Sequence, residues 1–273
     1  MPSVERSLAI VRLVRLQNGI IAALGVLAGA WWASGRLTSA RTLLAAVSAI
    51  FLAAFANAFN DWCDVDIDQA AHPRRPLPRG DLTTATALRV AATAAVLGLV
   101  GSALAWPALA FASLVVLLAM FLYSMRVKRA GAPGNVLVAI LASLPFLYGA
   151  WSVGQPRAAA ALLAISIPLH LAREVAKDLD DARADAALRH TLPVVHGASV
   201  ARMVVVIATL AALAALMPLM FAHHGFAALV LPTIALCTLA AIRVARGRTG
   251  ASFLFKTAMV CAMLSLLATR SRS

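Results

Sequence analysis

Carboxylates are scarce in this chain, and most of them fall in two short stretches. There are eleven Asp and Glu residues in all. Asp61, Asp64, Asp66 and Asp68 form one group beside Asn60, and Glu174, Asp178, Asp180, Asp181 and Asp185 form the other. Only Glu5 and Asp81 lie elsewhere. Asp61/Asp64/Asp68 and Asp178/Asp181/Asp185 repeat one spacing, i, i+3, i+7, which sets three carboxylates on one face of a helix. Such neighbours repel one another, and a partly dry site would drive them toward protonation unless cations neutralise them. Mg²⁺ suits this task, because it takes oxygen ligands and is usually held by one or two carboxylates plus substrate phosphates. Neither group has His or Cys in ligand spacing, which disfavours zinc and other soft-ligand sites. Basic residues close the site: Lys128 with Arg129, Arg74 with Arg75, and Arg173 with Lys177. The inferred chemistry is an acid–Mg²⁺–diphosphate assembly.

The elements that must position these groups are membrane helices. The chain is 62% hydrophobic and only 13% charged, against about 25% charged in a soluble domain. Nine apolar segments approach bilayer length, at roughly 17–35, 41–59, 83–105, 107–125, 135–153, 158–179, 200–222, 226–245 and 252–269. Gly35, Trp106-Pro107, Gly131-Ala132-Pro133-Gly134 and Gly154-Gln155-Pro156 separate several of them. The pattern predicts an all-α, polytopic membrane protein: a single domain over 1–273, with nine transmembrane helices bundled around a central cavity. With the N-terminus cytoplasmic, seventeen Lys and Arg residues fall on the cytoplasmic side and five on the other. That positive-inside bias predicts a multi-pass protein of the cell membrane. Both acid groups then face the cytoplasm and the C-terminus lies on the opposite side. The net charge of +13 is spread over short loops and sets topology, so nucleic acid is not an expected partner. Cys63, Cys237 and Cys261 are isolated and offer neither a disulfide framework nor a zinc site. About 117 residues separate equivalent aspartates, which predicts two weakly related halves, 1–131 and 132–273.

Acids beside bilayer-length apolar segments are costly, so a functional role is the default reading. A substrate with a diphosphate head and a long apolar tail, such as a prenyl diphosphate, suits both parts of the description. Metal and basic groups would stabilise the leaving diphosphate as the allylic C–O bond ionises, and an apolar pocket would shelter the cation from water. Tyr123 and Tyr148, the only tyrosines, have apolar faces and polar tips suited to that pocket. His170, just inside the second acid group, is a candidate for the acceptor pocket.

The first group has the pattern Asn-Asp-x-x-Asp-x-x-x-Asp at Asn60, Asp61, Asp64 and Asp68, with Asn57 one turn earlier. His-Pro-Arg-Arg-Pro-Leu-Pro-Arg-Gly follows at 72–80. With Arg15-Leu16-Gln17-Asn18, Tyr123-Ser124, Lys128 and Asp178-Leu179-Asp180-Asp181, these motifs resemble the UbiA superfamily of intramembrane prenyltransferases along essentially the whole chain. The resemblance implies Mg²⁺ held by Asn60, Asp64 and Asp68 on one side and Asp181 and Asp185 on the other, with Asp61 and Asp178 nearby. It implies catalytic roles for Asp64, Asp68, Asp181, Asp185 and Lys128. It further implies diphosphate contacts from Lys128 and the motif arginines, and a cavity lined by Arg15, Asn18 and Tyr148. Arg173 to Asp181, Thr191-Leu192-Pro193, Gly197 and Phe146-Leu147-Tyr148-Gly149-Ala150 are similar to the subgroup of digeranylgeranylglyceryl phosphate synthases, although Asp180 and Ala184 depart from its pattern. That subgroup implies a geranylgeranyl diphosphate donor and a prenylglycerol phosphate acceptor in ether-lipid synthesis.

Three other readings share some of these features. An aromatic acceptor would make the protein a quinone-type prenyltransferase, and no acceptor at all would make it a terpene cyclase. A divalent-cation transporter would also use intramembrane carboxylates. Against transport, all the acids gather at one membrane face and none lies on a route to the other.

Overall fold

The computed structural model describes residues 3–35, 39–185, 191–222 and 224–269, with their side chains except at positions 3, 71, 129, 183–185, 224, 225 and 269. Among the described residues the regular elements are helices. They are α1 (Ser3–Val14), α2 (Leu16–Ser34), α3 (Ala40–Cys63), α4 (Val65–Ala71), α5 (Thr84–Ala105), α6 (Pro107–Met125), α7 (Ala132–Ser152), α8 (Ala160–Asp185), α9 (Leu192–His196), α10 (Ala198–Ala222), α11 (His224–Leu229), α12 (Leu231–Ala245) and α13 (Ala251–Thr269). Short 3₁₀ turns occupy Val127–Ala130 and Pro156–Ala159. Nine helical segments among the described residues are long and apolar enough to cross a bilayer. Helices meet the requirement that hydrocarbon imposes, because each satisfies its own backbone groups.

The sequence shows why the helices start and stop where they do. Gly35, in the left-handed region at φ 69°, closes α2 by returning its N–H to the Trp31 carbonyl at 2.8 Å, a common helix C-terminus. The Ser39 and Thr83 side chains accept the N–H groups of Thr42 and Thr86 at 3.0 and 3.1 Å and cap α3 and α5. Pro107 opens α6, where its missing N–H costs nothing. Two ends run well past the expected spans. α3 runs four residues past 59 and takes in Asn60 and Asp61, and α8 runs past 179 to Asp185. In the first extension Asp61 meets Arg15, and in the second Asp180 accepts the Gly250 N–H. Before the first span lies the additional helix α1, with Ala9 and Leu13 buried and Val4, Leu8 and Val11 exposed.

α3 packs along α5, α8 along α10 and α2 along α7, while α13 lies against both α2 and α8. The α2–α7 crossing is very close. A Cβ placed on Gly149 would fall 1.9 Å from the Val26 carbonyl oxygen, and one on Gly29 would fall 2.1 Å from that of Phe146. Small residues at a membrane helix interface permit this approach. Large apolar side chains such as Leu104, Phe111, Phe221 and Phe253 point outward and are exposed, as a lipid-facing surface requires.

Candidate active site

A cavity of about 410 Å³ runs down the bundle. Its polar end lies where α2, α7 and α13 begin and where α3, α6 and α8 finish. Arg15 and Asn18, Asn57 and Asn60, Lys128, Arg173 and Lys177, and Lys256 all border that end. Residues of both acid stretches therefore meet one cavity at one face of the bundle. The other end is apolar, with Leu162, Leu216, Phe226 and Leu266 in its wall. Leu162 and Lys177 lie on the same helix, and a rise of about 1.5 Å per residue separates them by roughly 22 Å.

The first wall is built at the joint between α3 and α4. Asp61 sits in the last turn of α3, Asp64 at the joint, and Asp68 in α4. The i→i−4 pattern continues across the joint, with Asp64 N–H to Asn60 O at 3.1 Å and Asp68 N–H to Asp64 O at 2.8 Å. The three carboxylates therefore share a face, and all are buried, at 3%, 4% and 1% exposure. Asp66, on the other face, is exposed. Each buried carboxylate touches a cation. Arg15 Nη2 donates to Asp61 Oδ1 at 2.5 Å, and Arg15 Nη1 donates to Asn57 Oδ1 at 3.2 Å. Arg75 Nη1 donates to Asp68 and approaches Asp61 at 3.4 Å. Lys128 Nζ donates to Asn60 Oδ1 at 2.9 Å and to Asp64 Oδ2.

Local structure aims these cations. Arg15 is, among the described residues, the non-glycine residue with positive φ, at φ 47° and ψ 59°. A side chain in that region costs on the order of 1–3 kcal/mol and is kept where the surroundings demand it. Here the break between α1 and α2 is fixed by Asn57, whose amide donates to the Val14 carbonyl at 3.0 Å. The loop after α4 folds back through the Asp81 and Leu82 N–H groups to the Pro76 carbonyl at 2.9 and 3.3 Å, with Leu77 and Leu82 buried. This turns Arg75 toward the acids and leaves Arg74 exposed.

The second wall is α8. Arg173, Glu174 and Lys177 border the cavity. Arg173 pairs with Glu174, and Lys128 is among the charges acting on Glu174 from the far wall. Asp178 accepts from Asn135 Nδ2 of α7 at 2.8 Å. Asp180 turns the other way and accepts the Gly250 N–H at 3.2 Å, so it caps the start of α13. Asp181 is half-buried. The side chains of Asp185 and Arg129, both candidates from the sequence, lie outside the described residues.

Deeper in the cavity, Tyr148 is fixed by a buried hydroxyl cluster. Its hydroxyl bonds Ser102 at 2.6 Å and Ser113 at 3.0 Å, and Ser102 bonds Ser48 at 2.7 Å. That places Tyr148 near the apolar end, away from the acids. Tyr123 and His170 border the cavity. Trp62 instead stacks on Phe59, with ring centroids 5.6 Å apart. Sequence reasoning passed over Lys256, which donates to Asn18 Oδ1 at 3.1 Å. A lone lysine inside a span was the available signal. It also missed Asn135, whose partner lies 43 residues away.

Among the described residues no three His, Cys, Asp or Glu side chains converge closely enough to hold an ion alone. The acids are instead divided between two walls, with side-chain ammonium and guanidinium groups against the first. An oxygen-only donor set of this kind fits Mg²⁺ held jointly with substrate phosphates, which is its usual mode.

A model of the UbiA prenyltransferase family matches residues 22–265. A digeranylgeranylglyceryl phosphate synthase of Methanopyrus kandleri is 35% identical over 267 residues, which is 95% of this chain and 97% of that one. The enzyme of the same name from Natronomonas pharaonis is 39% identical over 249 residues, or 87% of each chain. The solved structure of a UbiA homolog from Aeropyrum pernix superposes with a TM-score of 0.80 at 18% identity, covering 92% of this chain and 96% of that one. A UbiA homolog from Archaeoglobus fulgidus, bound to DMAPP and Mg²⁺, superposes with a TM-score of 0.72 at 17% identity, covering 97% and 99%.

Proposed function

The chain belongs to the UbiA prenyltransferase family, and from that premise we propose that it moves a geranylgeranyl group from its diphosphate to (geranylgeranyl)glyceryl phosphate, forming an ether. The observation that carries this reading is the cavity itself. Cations from both halves of the chain, with Asn60 beside the first acid group and Glu174 of the second, border one end, and mostly apolar side chains line the remainder. The names of the relatives at 35% and 39% identity support the choice of acceptor.

Asn60, Asp61, Asp64 and Asp68 on one wall and Asp178, Asp181 and Asp185 on the other would hold Mg²⁺. The bound ion would supply positive charge against the diphosphate as its bond to carbon one breaks. Lys128 and Arg75 each touch two groups of the first wall and are placed to turn from carboxylate to phosphate. Lys177 offers the same from α8. The apolar depth takes the prenyl tail and keeps water from the allylic cation, and the acceptor hydroxyl then attacks carbon one and gives up its proton to the released diphosphate. With the positive-inside bias, the polar end faces the cytoplasm and the C-terminus the other side of the cell membrane.

The test is product analysis by mass spectrometry. The purified protein receives geranylgeranyl diphosphate and Mg²⁺, with and without (geranylgeranyl)glyceryl phosphate. The expected product is the diether phosphate, formed only with acceptor. Diphosphate release with hydrocarbon formation in the absence of acceptor would overturn the assignment.

A further inference from the structure

Most cations at the polar end of the cavity have a carboxylate against them, and Lys256 is different. Arg15, Arg75 and Lys128 lie on Asp61, Asp68 and Asp64, and Arg173 lies on Glu174. Among the described residues Lys256 donates to the neutral Asn18 amide oxygen at 3.1 Å, and the cations Arg173 and Arg15 are among the charges near it. An ammonium inside a membrane span is expensive unless something opposes its charge. This one borders the cavity, as do Asn18 and Arg173. It stands on α13, away from Lys128, which follows α6.

Nearby, α8 turns a polar stripe to the same cavity. Ser166 and His170 border it one turn apart, and Ser166 Oγ and His170 Nδ1 are buried without a hydrogen-bond partner. A purely hydrocarbon ligand would leave all of these groups unsatisfied. A ligand with an anionic group and hydroxyls beside it would answer them.

We propose that Lys256, with Arg173 and Asn18, forms a second anion site that holds the phosphate of the acceptor, apart from the place where the donor diphosphate is bound. The inference rests on the reading of the protein as a transferase with a phosphorylated polyol-lipid acceptor, and it names the residues that select for that phosphate. Asn18 keeps the Lys256 ammonium turned into the cavity, and Arg173 adds the second charge. A neutral aromatic acceptor would gain nothing from this arrangement.

The test uses the full chain in lipid nanodiscs, with wild type, Lys256→Met and Lys256→Arg. Binding of (geranylgeranyl)glyceryl phosphate is compared with binding of the phosphate-free geranylgeranylglycerol, and KM is measured separately for donor and acceptor. Wild type is expected to prefer the phosphorylated probe by roughly tenfold or more, as a charge-assisted contact warrants. Lys256→Met should lose that preference and raise the acceptor KM while the donor KM stays put, and Lys256→Arg should keep most of both. The proposal is overturned if wild type shows no phosphate preference. It is also overturned if Lys256→Met retains the preference, or raises the donor KM as much as the acceptor KM. A Lys256-dependent preference without diether product would remove the assigned reaction and leave the anion site standing. Product formation indifferent to Lys256→Met would do the reverse.

Discussion

On the α3–α4 wall, Asp61, Asp64 and Asp68 are buried and each lies against an arginine or lysine. On the α8 wall, Asp178 and Asp181 are half-buried, and Asp178 is held by the neutral amide of Asn135. The sequence spacing is the same and the surroundings are not. Three carboxylates can be buried together only if their charges are answered, so the first wall draws cations from the α1–α2 break, the loop after α4 and the turn after α6. It is a prebuilt assembly. The second wall keeps Asp178 and Asp181 less deeply buried, within reach of an arriving ligand. One wall is thus finished and the other responsive, a division that suits the proposed hold on the donor.

The largest expected effect belongs to the finished wall. Asp64→Asn removes the carboxylate that holds Lys128, and turnover should fall about 10³-fold, the scale of losing an electrostatic stabiliser at a leaving group. Asp66→Asn, in the same motif but exposed, should stay within about twofold of wild type, as surface changes usually do. Equal losses in the diether assay would mean that burial and cation contact do not separate the two positions.

Next comes the link between the walls. α2 begins beside Arg15, which grips the first wall, and α7 carries Asn135, which grips the second. Their crossing depends on Gly149, where a Cβ would meet the Val26 carbonyl. Gly149→Leu must push the two backbones apart, and overpacking of this kind costs about 1–3 kcal/mol where side chains can yield. Backbone yields less, so thermal unfolding in detergent should show a lowered midpoint, with lowered turnover in whatever remains folded. An unchanged midpoint would mean that the crossing does not set the spacing of the walls.

The responsive wall should show itself through metal dependence. Chelation with EDTA should stop turnover in the wild type. Asp181→Asn should raise the Mg²⁺ concentration for half-maximal rate by roughly tenfold, about the loss of one charged ligand contact, and should regain activity at high Mg²⁺. Asp64→Asn should not regain it, because its loss also releases Lys128. Rescue of both, or of neither, would erase the distinction.

Much of this was legible in the sequence, for stated physical reasons. The spans could be placed because hydrocarbon needs long apolar runs, and Gly35, Trp106-Pro107 and Gly131 interrupt them. The acid groups were visible because acids are rare elsewhere. α3 continues past residue 59 to Cys63, although Asn60 and Asp61 look like a helix end. Only the long-range pairing of Arg15 with Asp61, 46 residues apart, shows how the helix can continue. Which of Arg74 and Arg75 turns inward depends on how the loop folds on the Pro76 carbonyl, and local composition carries no sign of that. Lys256 was visible as a charge inside a span, but its neighbours come from α2 and α8, at the far end of the chain in one case.

The smallest effect expected concerns Asn135, and it tests the contrast most finely. Its neutral amide gives Asp178 a hydrogen bond at 2.8 Å. Asn135→Ala should therefore leave the fold intact and weaken the positioning of Asp178 by about 1–2 kcal/mol, the scale of a hydrogen bond to a charged group. The readout is a several-fold rise in the Mg²⁺ requirement with little change in the rate at saturating Mg²⁺. Asn57→Ala on the opposite wall should behave differently, because Asn57 holds both Arg15 and the Val14 carbonyl. There the maximal rate should drop and added Mg²⁺ should not restore it. If the two amides respond alike to metal, then the walls are equally prebuilt, and the difference in burial between their acids has no bearing on how the site works.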